Sequence, residues 1–204
     1  MNTTFIGPAP LYAFLRECNK SPLEKIILDC GAGGARPPLA MFKDHGYRTY
    51  GIDLSASQFD KAQQFCWDND IDLGIIRGDM RRIPFDDQSM SFVYSYASIC
   101  HMSQDDAAIA VGEIKRVMKP DGLCFISFCI AGDNIPDDIE SRPPGEQPYN
   151  DDGLTGVHTL YNNTEPDKFF DGFKVLTRIR RLIENFDNDK KYAWAEIFYI
   201  AQKL

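Results

Sequence analysis

The residue types and spacings best suited to chemistry are a glycine loop, two carboxylates beyond it, and a few histidines and tyrosines. The stretch ILDCGAGGARPPL (27–39) ends an apolar run on Asp29 and then places Gly31, Gly33 and Gly34 close together. Glycines at the carboxyl end of a strand permit a tight turn and bring backbone N–H groups close to a ligand. Asp53 stands about twenty residues further on, where a carboxylate can accept both hydroxyl hydrogens of a ribose. Ser55 can cap the helix that follows, which leaves Asp53 for a ligand. Counting from Gly31, the third glycine of the pyrophosphate fingerprint G-x-G-x-x-G is replaced by Arg36. Pro37 and Pro38 each remove a further N–H donor. The loop suits a nucleoside without phosphates at least as well as a dinucleotide.

These residues need a scaffold, and the hydrophobic pattern supplies one. Apolar runs at 25–30, 47–55, 72–80, 90–98 and 123–130 read as strands. Helical spacing recurs at 10–18, 37–46, 56–70 and 105–122, with Pro120 and Gly122 stopping the last. Strands alternating with helices predict an α/β fold: a three-layer, Rossmann-like, doubly wound sheet of about seven strands. The sheet is mostly parallel, and the final two runs, joined at 187–191, make an antiparallel C-terminal hairpin. No internal repeat or second domain is visible, so residues 1–204 read as one domain. Residues 1–20 form an N-terminal cap helix. Residues 131–164 read as a substrate lid insertion, because the Pro-, Gly- and acid-rich run 132–153 is long for a plain connection.

Bulk properties exclude several classes. The net charge is -8 over 204 residues, so the average surface repels nucleic acid and anionic lipid. The basic run TRIRRLIE (177–184) reads as a solvated sheet face, with Arg178 and Arg180 on one side. No apolar run approaches the roughly 20 residues of a membrane span, and no signal peptide is apparent. The six cysteines, at 18, 30, 66, 100, 124 and 129, include no C-x-x-C pair. They are expected to be free thiols of a cytoplasmic protein. The three histidines are scattered along the chain, and the acid pairs Asp86-Asp87 and Asp151-Asp152 lie in turns, so no metal is expected. Paired-cysteine chemistry is not expected either, since Cys124 and Cys129 point to opposite faces of one strand.

The segment RGDMRRIPFDDQSMSFVYSYASICHM (77–102) has a specific order: a strand, Gly-Asp, Ile-Pro-Phe, an acidic turn, then a strand. It resembles the class I S-adenosylmethionine-dependent methyltransferases, in the small-molecule branch near the ubiquinone and menaquinone biosynthesis enzymes. EIKRVMKPDGLCFIS (113–127) resembles the same group's helix-Lys-Pro-x-Gly-strand segment. The likeness covers about residues 25–130. It implies a loop of Asp29, Gly31, Ala32 and Gly33 against the methionine part of S-adenosylmethionine. Asp53 would hold the ribose, and Leu54 would pack on the adenine. Asp79 would accept from the adenine amino group, with Met80 against the ring. Ser95 and Tyr96 would meet the methionine amino group and the acceptor.

The expected activity is methyl transfer from S-adenosylmethionine to a small molecule, by a monomer or homodimer. The alternative is a non-catalytic protein that binds S-adenosylmethionine or S-adenosylhomocysteine. A nicotinamide-dependent oxidoreductase is disfavoured by Arg36 and by Gly78-Asp79-Met80. His101, which follows a strand on the ligand side, is the first choice for a base or acceptor contact. Tyr12, His158 and Tyr161 are the other expected substrate contacts.

Overall fold

In the computed structural model, residues 5–131, 144–151, 154–187 and 190–204 are described. The strands are β1 (Ile26–Cys30), β2 (Arg48–Asp53), β3 (Ile75–Arg77), β4 (Met90–Ser95) and β5 (Met118–Ile130), followed by β6 (Gly145–Asp151), β7 (Leu154–Leu160), β8 (Phe173–Asp187) and β9 (Lys190–Lys203). The helices are α1 (Ala9–Lys20), α2 (Leu39–Asp44), α3 (Ala56–Asp68) and α4 (Gln104–Val117).

Seven strands form one sheet in the order β3-β2-β1-β4-β5-β9-β8. The first five pair in parallel, and β9 runs antiparallel to both β5 and β8. This is the expected architecture. Apolar residues on both faces of the central strands account for it. Ile27, Phe92, Tyr94 and Phe125 face α1 and α2, while Leu28, Val93, Cys124, Ile126 and Phe128 face α4. The strand order reverses between β1 and β4, which opens a crevice at their carboxyl ends.

Local signals set the helix ends. Ser55 Oγ accepts from Gln58 N, and Ser103 Oγ accepts from Asp106 N, so both helices start on serine caps. The fourth helix stops at Val117, earlier than expected, and β5 begins at Met118. Lys119 precedes Pro120 and is therefore biased to extended backbone. Asp121, at φ 60°, then kinks the strand, and its register with β4 slips between Met90 and Phe92.

The first helix buries Leu11, Phe14, Leu15 and Cys18. Phe14 packs on Phe42, Tyr94 and Phe125, so this helix braces one face of the sheet. Within the expected lid, residues 132–143 and 152–153 lie outside the described residues. The rest pairs as an antiparallel β6–β7 hairpin, which the sequence reading did not identify. Arg178 and Arg180 are exposed, as a solvated sheet face requires, and Arg178 also donates to Asp167 Oδ1 over 3.0 Å and to the Tyr199 hydroxyl over 3.2 Å. In the expected turn at 187–191, residues 188–189 lie outside the described residues.

Phe128 is the keystone of the α4 side. Its ring meets Tyr161 at 5.2 Å, Phe169 at 5.5 Å and Tyr199 at 6.0 Å between centroids. Phe128→Ala is expected to cost about 3–5 kcal/mol. At roughly 2–4 °C per kcal/mol for a chain of this size, calorimetry should show a melting point lowered by more than about 6 °C.

Candidate functional site

Strand ends, one loop and the β6–β7 hairpin enclose a cavity of about 590 Å³ at the carboxyl side of the sheet. That volume lies within the usual range for a small-molecule site. Of the residues expected at a site, Asp29, Gly31, Gly33, Asp53, Leu54, Asp79, Met80, Tyr96 and His101 line it.

The glycine loop is built against β2 and α3. The N–H groups of Gly31 and Ala32 both donate to Ile52 O, over 2.9 and 3.0 Å, and Gly34 N donates to Gln58 O over 2.9 Å. Gly31 and Gly34 have φ of 108° and 97°, which glycine adopts readily. A Cβ on Gly31 would lie 2.0 Å from Ser98 Oγ, and one on Gly33 would lie 2.5 Å from Asp53 Oδ2. The loop therefore presents bare backbone because its neighbours leave no room for a side chain.

Asp53 ends β2 with its carboxylate fixed. Oδ2 accepts from Gly33 N over 2.7 Å, and Oδ1 accepts from Ser55 N over 2.8 Å. Each oxygen keeps a lone pair for a ligand hydroxyl. Burial raises the Asp53 carboxyl above the usual range, while the Ser55 and Gly33 N–H groups pull it back.

Asp29 lies at the floor, with only 1% of its surface exposed. Burial pushes its carboxyl well above the usual carboxylate range. The Tyr94 hydroxyl beside it pulls the other way without completing a hydrogen bond, and Oδ2 has no hydrogen-bond partner among the described residues. A buried orphan acceptor facing a cavity is matched by a cationic or N–H-bearing ligand.

Asp79 is engaged in a way the sequence did not foretell. The Arg81 guanidinium pairs with it at 2.6 Å and with Asp106 at 3.0 Å, on the cavity rim. The Arg81 hydrogen bonds hold the Asp79 carboxyl below its usual range. A ligand amino group at Asp79 must share it with this arginine.

The remaining expected residues sit elsewhere. Ala32 lies behind the loop, fully buried, where a Cβ on Gly51 would meet its own at 2.5 Å. Ser95 is buried at the end of β4 without lining the cavity. Tyr12 is 40% exposed on α1, whose residues do not reach the cavity. Tyr161 is fully buried, because its backbone bridges to Ile130 and its ring packs on Phe128 and Phe169. His158 lies one residue from the lining residue Val157, and its ring is 4.9 Å from that of His101. Two of the three histidines are thus neighbours, where the sequence suggested scatter.

Residues the sequence reading passed over also contribute. Ala97 and Ser98, just after β4, line the cavity. Ala97 has φ of 52°, an uncommon value for alanine, and donates its N–H to Ser127 Oγ over 2.8 Å. Nothing in the sequence marks that kink. Pro38, Gln58, Arg81 and Asp106 are further wall residues. A proline just before a helix and polar residues in a first helical turn or a loop carry no ligand signal of their own.

Residues 28–126 match the methyltransferase domain family. Among curated relatives, the 2-methyl-6-phytyl-1,4-hydroquinone methyltransferase of Synechocystis sp. is 32% identical over 103 residues, covering 50% of this chain and 31% of that protein. The sterol 24-C-methyltransferase of Kluyveromyces lactis is 28% identical over 99 residues, covering 48% of this chain and 26% of that protein. The matched stretch thus spans well under half of either relative. A crystal structure of a SAM-dependent methyltransferase from Methanosarcina mazei superposes with a TM-score of 0.69 at 18% identity, over 98% of this chain and 99% of that one. That likeness shows the fold.

The raised Asp29 carboxyl gives a signed prediction for the ligand-free protein. Burial penalises its ionised form, so the penalty is absent below the unfolded value of about 4. It grows as pH rises and is complete above the raised folded value. Asp29→Asn should therefore raise the ligand-free melting point at neutral pH, by about 2–4 °C per kcal/mol relieved. The gain should vanish as pH falls toward 4. A melting-point series against pH reads both parts.

Proposed function

The chain carries a methyltransferase domain over residues 28–126, and on that premise we propose that it transfers the methyl group of S-adenosylmethionine to a small molecule. The observation that carries this reading is the Asp53 carboxylate, held by Gly33 N at 2.7 Å within a cavity whose floor is the orphan Asp29.

The residues present fit this cofactor. Asp53 has lone pairs left for the ribose hydroxyls, and the exposed Leu54 offers an apolar face to the adenine. Asp79 and Met80 lie at the adenine end. Gly31 and Gly33 admit the methionine portion, and Asp29 Oδ2 supplies a negative group for its ammonium. When bound, the cofactor supplies a methyl group already activated on a sulfonium sulfur.

The chain's own task is then alignment and exclusion of water, which can be worth roughly 7–11 kcal/mol. Tyr96, His101, Met102 and Val157 also line the cavity, and on this reading an acceptor would lie against them. An acceptor that must lose a proton would give it to His101, which lines the cavity. The largely apolar end wall suits a small acceptor with ring or chain carbon, in keeping with the hydroquinone and sterol named for the relatives.

We also read the chain as cytoplasmic, since all six cysteines are free thiols. No helix among the described residues is long and apolar enough to cross a membrane.

The test is transfer of labelled methyl from S-adenosylmethionine to a pool of quinol, phenol and isoprenoid acceptors. Wild type should label one acceptor class. Asp53→Ala should abolish labelling and weaken S-adenosylhomocysteine at least tenfold, about 1.4 kcal/mol. His101→Ala should lower kcat while leaving S-adenosylhomocysteine affinity within about twofold. Cofactor binding with no transfer to any acceptor would favour a binding protein. Stabilisation by NAD and not by S-adenosylhomocysteine would sink the reading.

A further inference from the structure

One side-chain cluster is left unused by methyl transfer. Cys100 follows β4 in the short turn Ile99–His101, Cys129 is near the end of β5, and His158 is on β7. Their sulfur and ring-nitrogen atoms all lie within 4.8 Å of one another. The Cys100 thiol hydrogen-bonds Cys129 and is the main cause drawing that thiol below its usual range, with His158 adding to it. Cys100 is buried, while Cys129 and His158 keep partial access.

We propose that Cys100, Cys129 and His158 bind a thiophilic divalent metal ion of the zinc type, which fastens the β6–β7 hairpin to the sheet at the cavity wall. Geometry supports this. A point between three atoms so spaced lies within about 2.8 Å of each, against roughly 2.0–2.3 Å for zinc–nitrogen and zinc–sulfur bonds. Shifts of at most about 0.5 Å for the sulfurs and about 0.8 Å for the nitrogen would complete the set.

The ligand chemistry is selective. Two sulfurs and an imidazole favour soft or borderline ions over calcium or magnesium, which take oxygen ligands. Binding would displace the two thiol protons to solvent, and the two thiolates then neutralise the divalent charge, so the complex is cheaper to bury than a bare ion. Three protein ligands leave a fourth position for water or another group.

Placement gives the site a consequence. Each ligand comes from a different element, and the metal would join all three. Neighbours of two ligands, His101 and Val157, line the cavity. The hairpin already touches this turn, since Thr159 Oγ1 donates to Met102 O over 2.7 Å. A bound ion would replace weak side-chain contacts with coordinate bonds at the acceptor end.

The test uses the full chain, stripped with chelator and kept reduced, then titrated with Co²⁺ as the probe for zinc. The expected result is one Co²⁺ per chain, with thiolate-to-cobalt charge-transfer and tetrahedral d–d bands that Zn²⁺ abolishes. Cys129→Ser should remove the charge-transfer intensity or cut it by about half, and should weaken binding at least tenfold. His158→Gln, on the partly exposed ligand, guards against loss of folding. It should keep charge transfer but shift the d–d bands and weaken binding at least tenfold. Absence of charge transfer in wild type overturns the proposal, as does unchanged binding in both variants. Neither cofactor nor acceptor is present, so failure here leaves the methyl-transfer reading untouched.

Discussion

The Gly33 N–H donates to Asp53 Oδ2 over 2.7 Å, joining residues 20 apart in sequence. It can do so only because Gly33 has no side chain: a Cβ there would lie 2.5 Å from that oxygen and 2.6 Å from Gln58 Cβ. Two strands must be in parallel register for the contact to exist, and Asp29 pairs with Gly51 while Cys30 pairs with Ile52. Gly51 in turn gives room for Ala32, whose Cβ would meet a side chain there at 2.5 Å. The cavity floor, the loop and the carboxylate are therefore one packed unit. A ligand meets groups whose positions are already fixed, so little ordering entropy is lost on binding.

The other wall is made of the kinked segment after β4, the turn Ile99–His101 and the β6–β7 hairpin. Thr159 and the thiol–imidazole cluster tie hairpin to turn, and Glu146 Oε1 on the hairpin accepts from Gln104 N at the start of α4. On the proposed reading, separate elements for donor and acceptor would let one fold keep its methyl donor while the acceptor varies. The proposed metal site would act on the hairpin side of the cavity.

Much of the proposed cofactor end was legible as strand ends and loops because those signals are local. An apolar run ending in Asp29 and glycines, and a second ending in Asp53, each declare a strand end with a loop beyond it. The acceptor end was not legible, because its residues converge only through topology. Cys100, Cys129 and His158 stand on three elements with no motif spacing between them. The β6–β7 hairpin was hidden by proline, glycine and acids that read as a loop. Tyr161 resembled a pocket residue until its parallel bridge to Ile130 put it in the core. Asp79 was located correctly at a loop, but its ion pair with Arg81 depends on a turn that no pattern encodes. Val117 closed α4 early because the bias of the residue before Pro120 outweighed helical periodicity.

The central claim is that bare backbone at Gly33, backed by Asp53, is what admits the methyl donor. Calorimetric titration of S-adenosylhomocysteine into wild type and Gly33→Ala tests it most directly. One binding site per chain is expected in wild type. One added methyl group should displace Asp53 and weaken affinity at least tenfold, about 1.4 kcal/mol, while near-identical circular dichroism shows the fold kept. Equal affinity in the two proteins would contradict the account, because the close approach at Gly33 would then serve only the fold.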